Sequence, residues 1–244
     1  SFLKKSVQLG NALVDMYGKC GMFAKAHEVL KKLPGQDVAS WNALISGYTE
    51  HGQEEAALKC FEEMKLEGVV PDHLTFLCAL KACCNIGVIQ KANDIHIELE
   101  QKDFLEESMV IGNTMVDIYG KCGWLTKAQE VFDTLLIQDV VPWNALMAGY
   151  AQLGHAKEVL NLFNKMRGKG IVPNLVTFLI MLTACSHAGL VEEGQTLFND
   201  MSIIYQLTPN LEHYTCMVDL FSRSGHFDKA IAVIETVQSS DRLP

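Results

Sequence analysis

GNALVDMYGKCG at Gly10–Gly21 returns as GNTMVDIYGKCG at Gly112–Gly123, 102 residues later and without a gap. The match extends outward on the same shift. DVASWNALISGY at Asp37–Tyr48 lies over DVVPWNALMAGY at Asp139–Tyr150, and EGVVPD at Glu67–Asp72 lies over KGIVPN at Lys169–Asn174. About 30 of the 66 positions aligned over residues 7–72 and 109–174 are identical. A fixed long period marks an array of stacked units, each too small to bury its own apolar face. Function then resides in what the array presents along its length.

The long repeat contains smaller ones. Gly21, Gly52, Gly87, Gly123, Gly154, Gly189 and Gly225 each close a similar segment, at spacings of 31, 35, 36, 31, 35 and 36 residues. These landmarks divide a single array, residues 1–244, into units 7–37, 38–72, 73–108, 109–139, 140–174, 175–210 and 211–241.

Each unit reads as two helices. Leu13, Val14, Met16 and Tyr17 recur at the spacing of one helical face, and Gly21 ends that helix. Phe23, Ala26, Val29, Leu30 and Leu33 mark the apolar face of a second helix. In the longer units the second helix stops at glycine with proline soon after, as in Gly68-Val69-Val70-Pro71 and Gly170-Ile171-Val172-Pro173. No alternating run bounded by turns suggests a strand. The expected fold is all-α, a right-handed α-solenoid of stacked helix-turn-helix repeats.

Composition narrows the function classes. Hydrophobic residues make up 49% of the 244, enough for a continuous core. No apolar run is long enough to cross a membrane, so no membrane partner is expected. The chain opens at Ser1 just ahead of a unit and shows no targeting segment, and it reads as a fragment of a longer protein. Its eight cysteines include no C-x-x-C pair and sit in helical patterns, as small apolar residues do. Neither metal nor cofactor is expected. His96-Ile97-Glu98 matches the H-x-E fragment of zinc deaminases, but no P-C-x-x-C follows it. With no phosphate loop and no clustered histidines, the chain is not expected to be an enzyme.

The motif strings and their 31-35-36 spacing resemble pentatricopeptide repeat proteins of the PLS subclass, the plant organellar RNA-binding arrays that include RNA-editing factors. Units 7–37 and 109–139 resemble short motifs; units 38–72 and 140–174, with SWNALISGY and PWNALMAGY, resemble standard ones. Units 73–108 and 175–210, with TFLCALKACCNIG and TFLIMLTACSHAG, resemble long motifs, and LEHYTCMVDLFSRSG at Leu211–Gly225 the last short one.

The resemblance implies one nucleotide per unit, chosen by the unit's fifth and last residues and sandwiched by its second. The implied readers are Asn11 with Asp37, Asn42 with Asp72, Asn113 with Asp139, Asn144 with Asn174, and Thr215 with Asp241. Leu77 with Ser108 and Leu179 with Asn210 are weak or non-coding, because leucine cannot hydrogen-bond a base edge. Gln8, Ala39, Val110 and Val141 are the implied sandwiching residues. An amide offers both a donor and an acceptor to a pyrimidine edge, and a terminal carboxylate can orient it. Each of these side chains also has a plainer role as a helix cap. By the family's pairing rules the array reads 5′-U-U-N-U-Y-N-G-3′.

The resemblance further implies single-stranded RNA as partner, accessory editing factors docking on the long motifs, and a mitochondrial or chloroplast location. It implies a role in specifying a C-to-U editing site, with any deaminase outside this chain or acting in trans. The net charge of −9 runs against a phosphate-gripping protein. The basic contacts expected are a local strip at Lys19, Lys121 and Arg223. A protein-interaction scaffold, holding a partner in the solenoid groove, is the alternative reading. Trp41, Trp143 and the tyrosines Tyr17, Tyr48, Tyr119 and Tyr150 are expected in the core.

Overall fold

The computed structural model describes residues 7–33, 35–102 and 109–240. Among them are fourteen α-helices and no strand. They are α1 (Val7–Lys19), α2 (Phe23–Lys32), α3 (Val38–Glu50), α4 (Glu54–Leu66), α5 (His73–Asn85), α6 (Ile89–Glu100) and α7 (Met109–Lys121). Then follow α8 (Leu125–Thr134), α9 (Val140–Gln152), α10 (Ala156–Gly168), α11 (Leu175–Ala188), α12 (Val191–Ile203), α13 (Leu211–Arg223) and α14 (Phe227–Ser240). The chain forms two compact units, residues 1–118 and 119–244.

The two helices of a repeat start by different means. α3, α5, α9, α11 and α13 begin one residue after Asp37, Asp72, Asp139, Asn174 and Asn210, whose side chains accept a backbone N–H of the first turn. Asp72 and Asn174 complete reciprocal capping boxes with Thr75 and Thr177. The second helices α2, α4, α6, α8, α10 and α12 have no such side-chain cap. They follow a tight turn through the landmark glycines, all at positive φ between 67° and 81°. At Gly189, φ +68°, this left-handed residue is the C-cap of α11, a conformation that a Cβ would oppose.

In the first compact unit α1 packs on α2 and α3, α3 on α4 and α5, and α5 on α4 and α6. In the second, α9, α11 and α13 pack on one another in succession and on their own second helices α10, α12 and α14. First helices thus stack on first helices, leaving their outward edge to carry side chains. Phe61 meets Phe76 edge-on at 5.8 Å, and Phe163 meets Phe178 at 6.1 Å, the same pair 102 residues on. Each ring is nearly or fully buried and contributes roughly 1.5–3 kcal/mol.

Small residues let the first helices approach closely. A Cβ on Gly47 would lie 3.0 Å from Gly18 Cα, and one on Gly149 only 2.7 Å from Gly120 Cα. Trp41 and Trp143 are buried, as are Tyr48 and Tyr119. Tyr17 and Tyr150 depart from expectation and are only half-buried, with the Lys25 ammonium 5.7 Å from the Tyr17 ring centre. Among the described residues, no helix is long and apolar enough to cross a membrane.

Candidate nucleic-acid interface

The fifth residue of a repeat lies in the second turn of its first helix, and the last residue is the cap of the next first helix. Stacking brings the two together. Asn11 Nδ2 donates to Asp37 Oδ1 and Oδ2 at 3.0 and 2.9 Å, across 26 residues of sequence. Asn42 Nδ2 donates to Asp72 Oδ1 at 3.0 Å, and Asn144 Nδ2 to Asn174 Oδ1 at 3.1 Å. Capping therefore belongs to Asp37, Asp72 and Asn174, while the helical asparagines bond to the caps. One acceptor does two jobs: Asp72 Oδ1 also takes the Thr75 N–H at 2.9 Å, and Asn174 Oδ1 the Thr177 N–H at 3.0 Å.

Electrostatics follow from this bonding. Burial alone would raise the Asp37 and Asp72 carboxyls. At Asp37 the hydrogen bonds from Asn11 and Ser40 outweigh it, and at Asp72 those from Thr75 and Asn42, so both sit below the ordinary aspartate value. The caps are held as carboxylates, which only accept and so fix which edge of the amide faces them.

Asn42 and Asn144 are almost closed off, at 6% and 7% exposure. Thr75 Oγ1 donates to Asn42 Oδ1 at 2.6 Å and Thr177 Oγ1 to Asn144 Oδ1 at 2.8 Å. Each amide keeps one N–H and one carbonyl lone pair unclaimed. Asn11 Oδ1 and Asn113 Oδ1 have no hydrogen-bond partner. In the first compact unit a groove of about 580 Å³ is lined by Asn11, Ala39, Asn42, Asp72 and Leu74 among others. It brings the Asn11 and Asn42 amides, with Asp72, together.

The remaining expected residues fall as follows. Gln8, Ala39, Val110 and Val141 are exposed, the two valines at 70% and 52%. Leu74 and Val176, the second residues of their repeats, are as open at 48% and 52%. Counting to the second place, as for Ala39 and Val141, would have found them. Asp139 is exposed and caps α9 through the Val141 N–H at 2.9 Å. Leu77 is buried, Leu179 half-buried, and Asn210 exposed as the cap of α13. Thr215 is exposed, its hydroxyl donating to Leu211 O within its own helix. Ser108 and Asp241 lie outside the described residues.

The expected basic strip is largely neutralised where it arises. Lys19 pairs with Asp15 at 2.8 Å, and Arg223 with Asp219 at 2.8 Å, each one turn back on the same helix. The deaminase-like fragment is split between unrelated partners. His96 bonds Glu100 at 3.0 Å, and Glu98 pairs with Lys65 at 2.8 Å.

Stacked helix pairs with a register of amides on their first helices define a helical-repeat scaffold. The PPR repeat family matches residues 36–85 and 138–187, and its single repeat matches residues 11–38, 113–137, 176–202 and 212–241. This chain belongs to the PPR repeat family. In Arabidopsis thaliana, the pentatricopeptide repeat-containing protein At4g30700 is 38% identical over 94% of this chain, which covers 29% of that protein. The chloroplastic relative At1g08070 is 37% identical over 96% of the chain, covering 32% of that protein. The chain thus spans about a third of the length of these relatives. The crystal structure of PPR10 in complex with an 18-nt psaJ RNA element shares the fold at a TM-score of 0.73 and 22% identity, over 98% of this chain and 36% of that one.

Proposed function

We propose that the chain binds single-stranded RNA selectively, one nucleotide per repeat, through a single array of seven units. The observation that carries this reading is the recurrence of one bonded pair at one register: Asn11–Asp37, Asn42–Asp72 and Asn144–Asn174. A plain capping role explains the terminal residue but not the amide of the preceding repeat that bonds to it at these three places. The unclaimed N–H and carbonyl lone pair form a mixed edge suited to a pyrimidine. Val110, Val141, Leu74 and Val176 stand exposed at the places where they would flank a base. One base per helical repeat, read by two or three side chains, is an established mode of RNA recognition.

The relatives are plant PPR proteins, one of them chloroplastic, and PPR10 is known in complex with RNA. We extend this to the PLS subclass, an organellar site of action, and specification of a C-to-U editing site. The deaminase would lie outside this chain or act in trans, and accessory factors would dock on the long motifs. Because Lys19 and Arg223 are already paired and the net charge is −9, affinity rests on stacking, roughly 1–3 kcal/mol per base. The salt dependence is correspondingly shallow.

The test is binding of a fluorescent RNA carrying UUNUYNG beside one with each U replaced by A. Tighter binding of the first is expected. Equal binding discards the assigned register. Binding of neither by the folded chain moves the function to a protein-interaction scaffold, which the acidic charge favours.

A further inference from the structure

Four asparagines occupy the reading register, but their carbonyls are not held alike. Thr75 and Thr177, each the third residue of the following repeat and each fully buried, bond to Asn42 Oδ1 and Asn144 Oδ1. For Asn11, in the first repeat, the residue at that place in the following repeat is Ser40. Its hydroxyl reaches only Asp37, at 2.9 Å from both the backbone oxygen and Oδ1, and Asn11 Oδ1 is left without a partner. Those of Thr75 and Thr177 lie 2.9 and 3.1 Å from their caps' Oδ1 and reach the asparagine as well. The corresponding residue of unit 140–174 is Pro142, which has no hydroxyl to give, and Asn113 Oδ1 also lacks a partner.

An asparagine amide turns easily, because its terminal torsion is broad and roughly two-fold. Asn11 is tied to its cap at the nitrogen alone, so its plane can tilt about that bond. Asn42 and Asn144 are tied at nitrogen and oxygen together, which stops the rotation and fixes where the remaining N–H and lone pair point. A fixed edge rejects a mismatched base, because a buried polar atom is then left unpaired.

We infer that Thr75 and Thr177 are positioning residues that pin the reading amides of the preceding repeat, so that Asn42 and Asn144 discriminate bases more sharply than Asn11. This rests on the RNA reading above. It adds a third side chain, contributed by the next repeat, to the determinants of specificity.

The test compares Thr75→Val, which keeps the shape and loses the hydroxyl, with Thr75→Ser, which keeps the hydroxyl. Ser40→Ala is the control, since it too removes a helix-start hydroxyl but one that does not touch Asn11. Dissociation constants are measured for UUNUYNG and for single U→A changes at its first and second positions, those of Asn11 and Asn42. Thr75→Val is expected to lower the U-over-A ratio about 3- to 10-fold at the second position only, the range that one hydrogen bond supplies. Thr75→Ser retains the ratio, and Ser40→Ala leaves the ratio at the first position unchanged. In the unsubstituted chain the second-position ratio exceeds the first. A folded Thr75→Val chain with an unaltered ratio, or an equal loss at both positions, overturns the inference. A starting chain that binds RNA without U preference anywhere discards the assigned register, and a folded one that binds no RNA overturns the RNA reading itself.

Discussion

Gly149 and Gly120 meet backbone to backbone: a Cβ built on Gly149 would lie 2.7 Å from the Gly120 Cα. No rotamer change relieves such a contact, because the obstacle is main chain. Gly149→Ala forces the helices apart and costs about 1–3 kcal/mol, read as a lower urea midpoint. Gly168→Ala is the contrast, since nothing lies within 4 Å of the added carbon and its φ lies outside the positive range. That variant is neutral or more stable by up to about 1 kcal/mol.

Asp72 joins a helix start to the Asn42 amide, and its substitutions separate the two. Asp72→Ala removes the cap and costs about 1 kcal/mol. Asp72→Asn costs less, because Asn174 performs the same capping at the corresponding place.

Acid acts on the same carboxyls. Asp37 and Asp72 have folded-state values below the ordinary one. Their contribution is therefore complete above about pH 3.9 and lost as pH falls through the lower folded value. Denaturation at pH 5 and pH 3 will show the drop, and Asp72→Asn will make it smaller. An equal drop in that variant would show that Asp72 contributes nothing to it.

Replacing Asn42 by Thr shortens the side chain and removes the amide that bonds Asp72. By the family's pairing rules Thr with Asp leans to G. The Asn42→Thr chain is expected to weaken binding of U at the second position and favour G there, with other positions unaffected. Competition between the U and G forms of one RNA reads this directly. An unchanged preference would remove Asn42 from the reading register.

The thiols should divide sharply in reactivity. Burial pushes Cys60 and Cys185 up to about 12, and Cys78 and Cys83 to about 11, so almost no thiolate exists at neutral pH. Cys20 is exposed. A chromogenic disulfide should modify Cys20 promptly in the folded chain and the four raised thiols only on unfolding. Prompt reaction at Cys60 would contradict its burial.

Much of this was legible in the chain itself. Spacing identified Gly21 and its six counterparts, which do take left-handed conformations, and two of the Asn–Asp pairs the family register named, Asn11–Asp37 and Asn42–Asp72, are hydrogen-bonded. What escaped depends on how one repeat seats on the next. Nothing local to Asn42 says that it is nearly closed off, or that Thr75 covers its oxygen from 33 residues away. Threonine at the third place of both HLTF and LVTF was visible, but its meaning is a property of stacking. The basic strip misled for the opposite reason: Asp15 and Asp219 sit one helical turn before Lys19 and Arg223, a local pairing that could have been counted.

The double duty of the terminal residue has a cost for anyone who would rewrite this chain. On the proposed reading, a side chain placed there to suit a new base must also begin a helix, and few can. Asp, Asn, Ser and Thr qualify; larger or apolar residues would trade selectivity for a frayed neighbour. The repeats are thus not independent letters. In that reading each change at a boundary is countersigned by the repeat that follows, and the usable side chains are limited by helix chemistry before any nucleotide arrives.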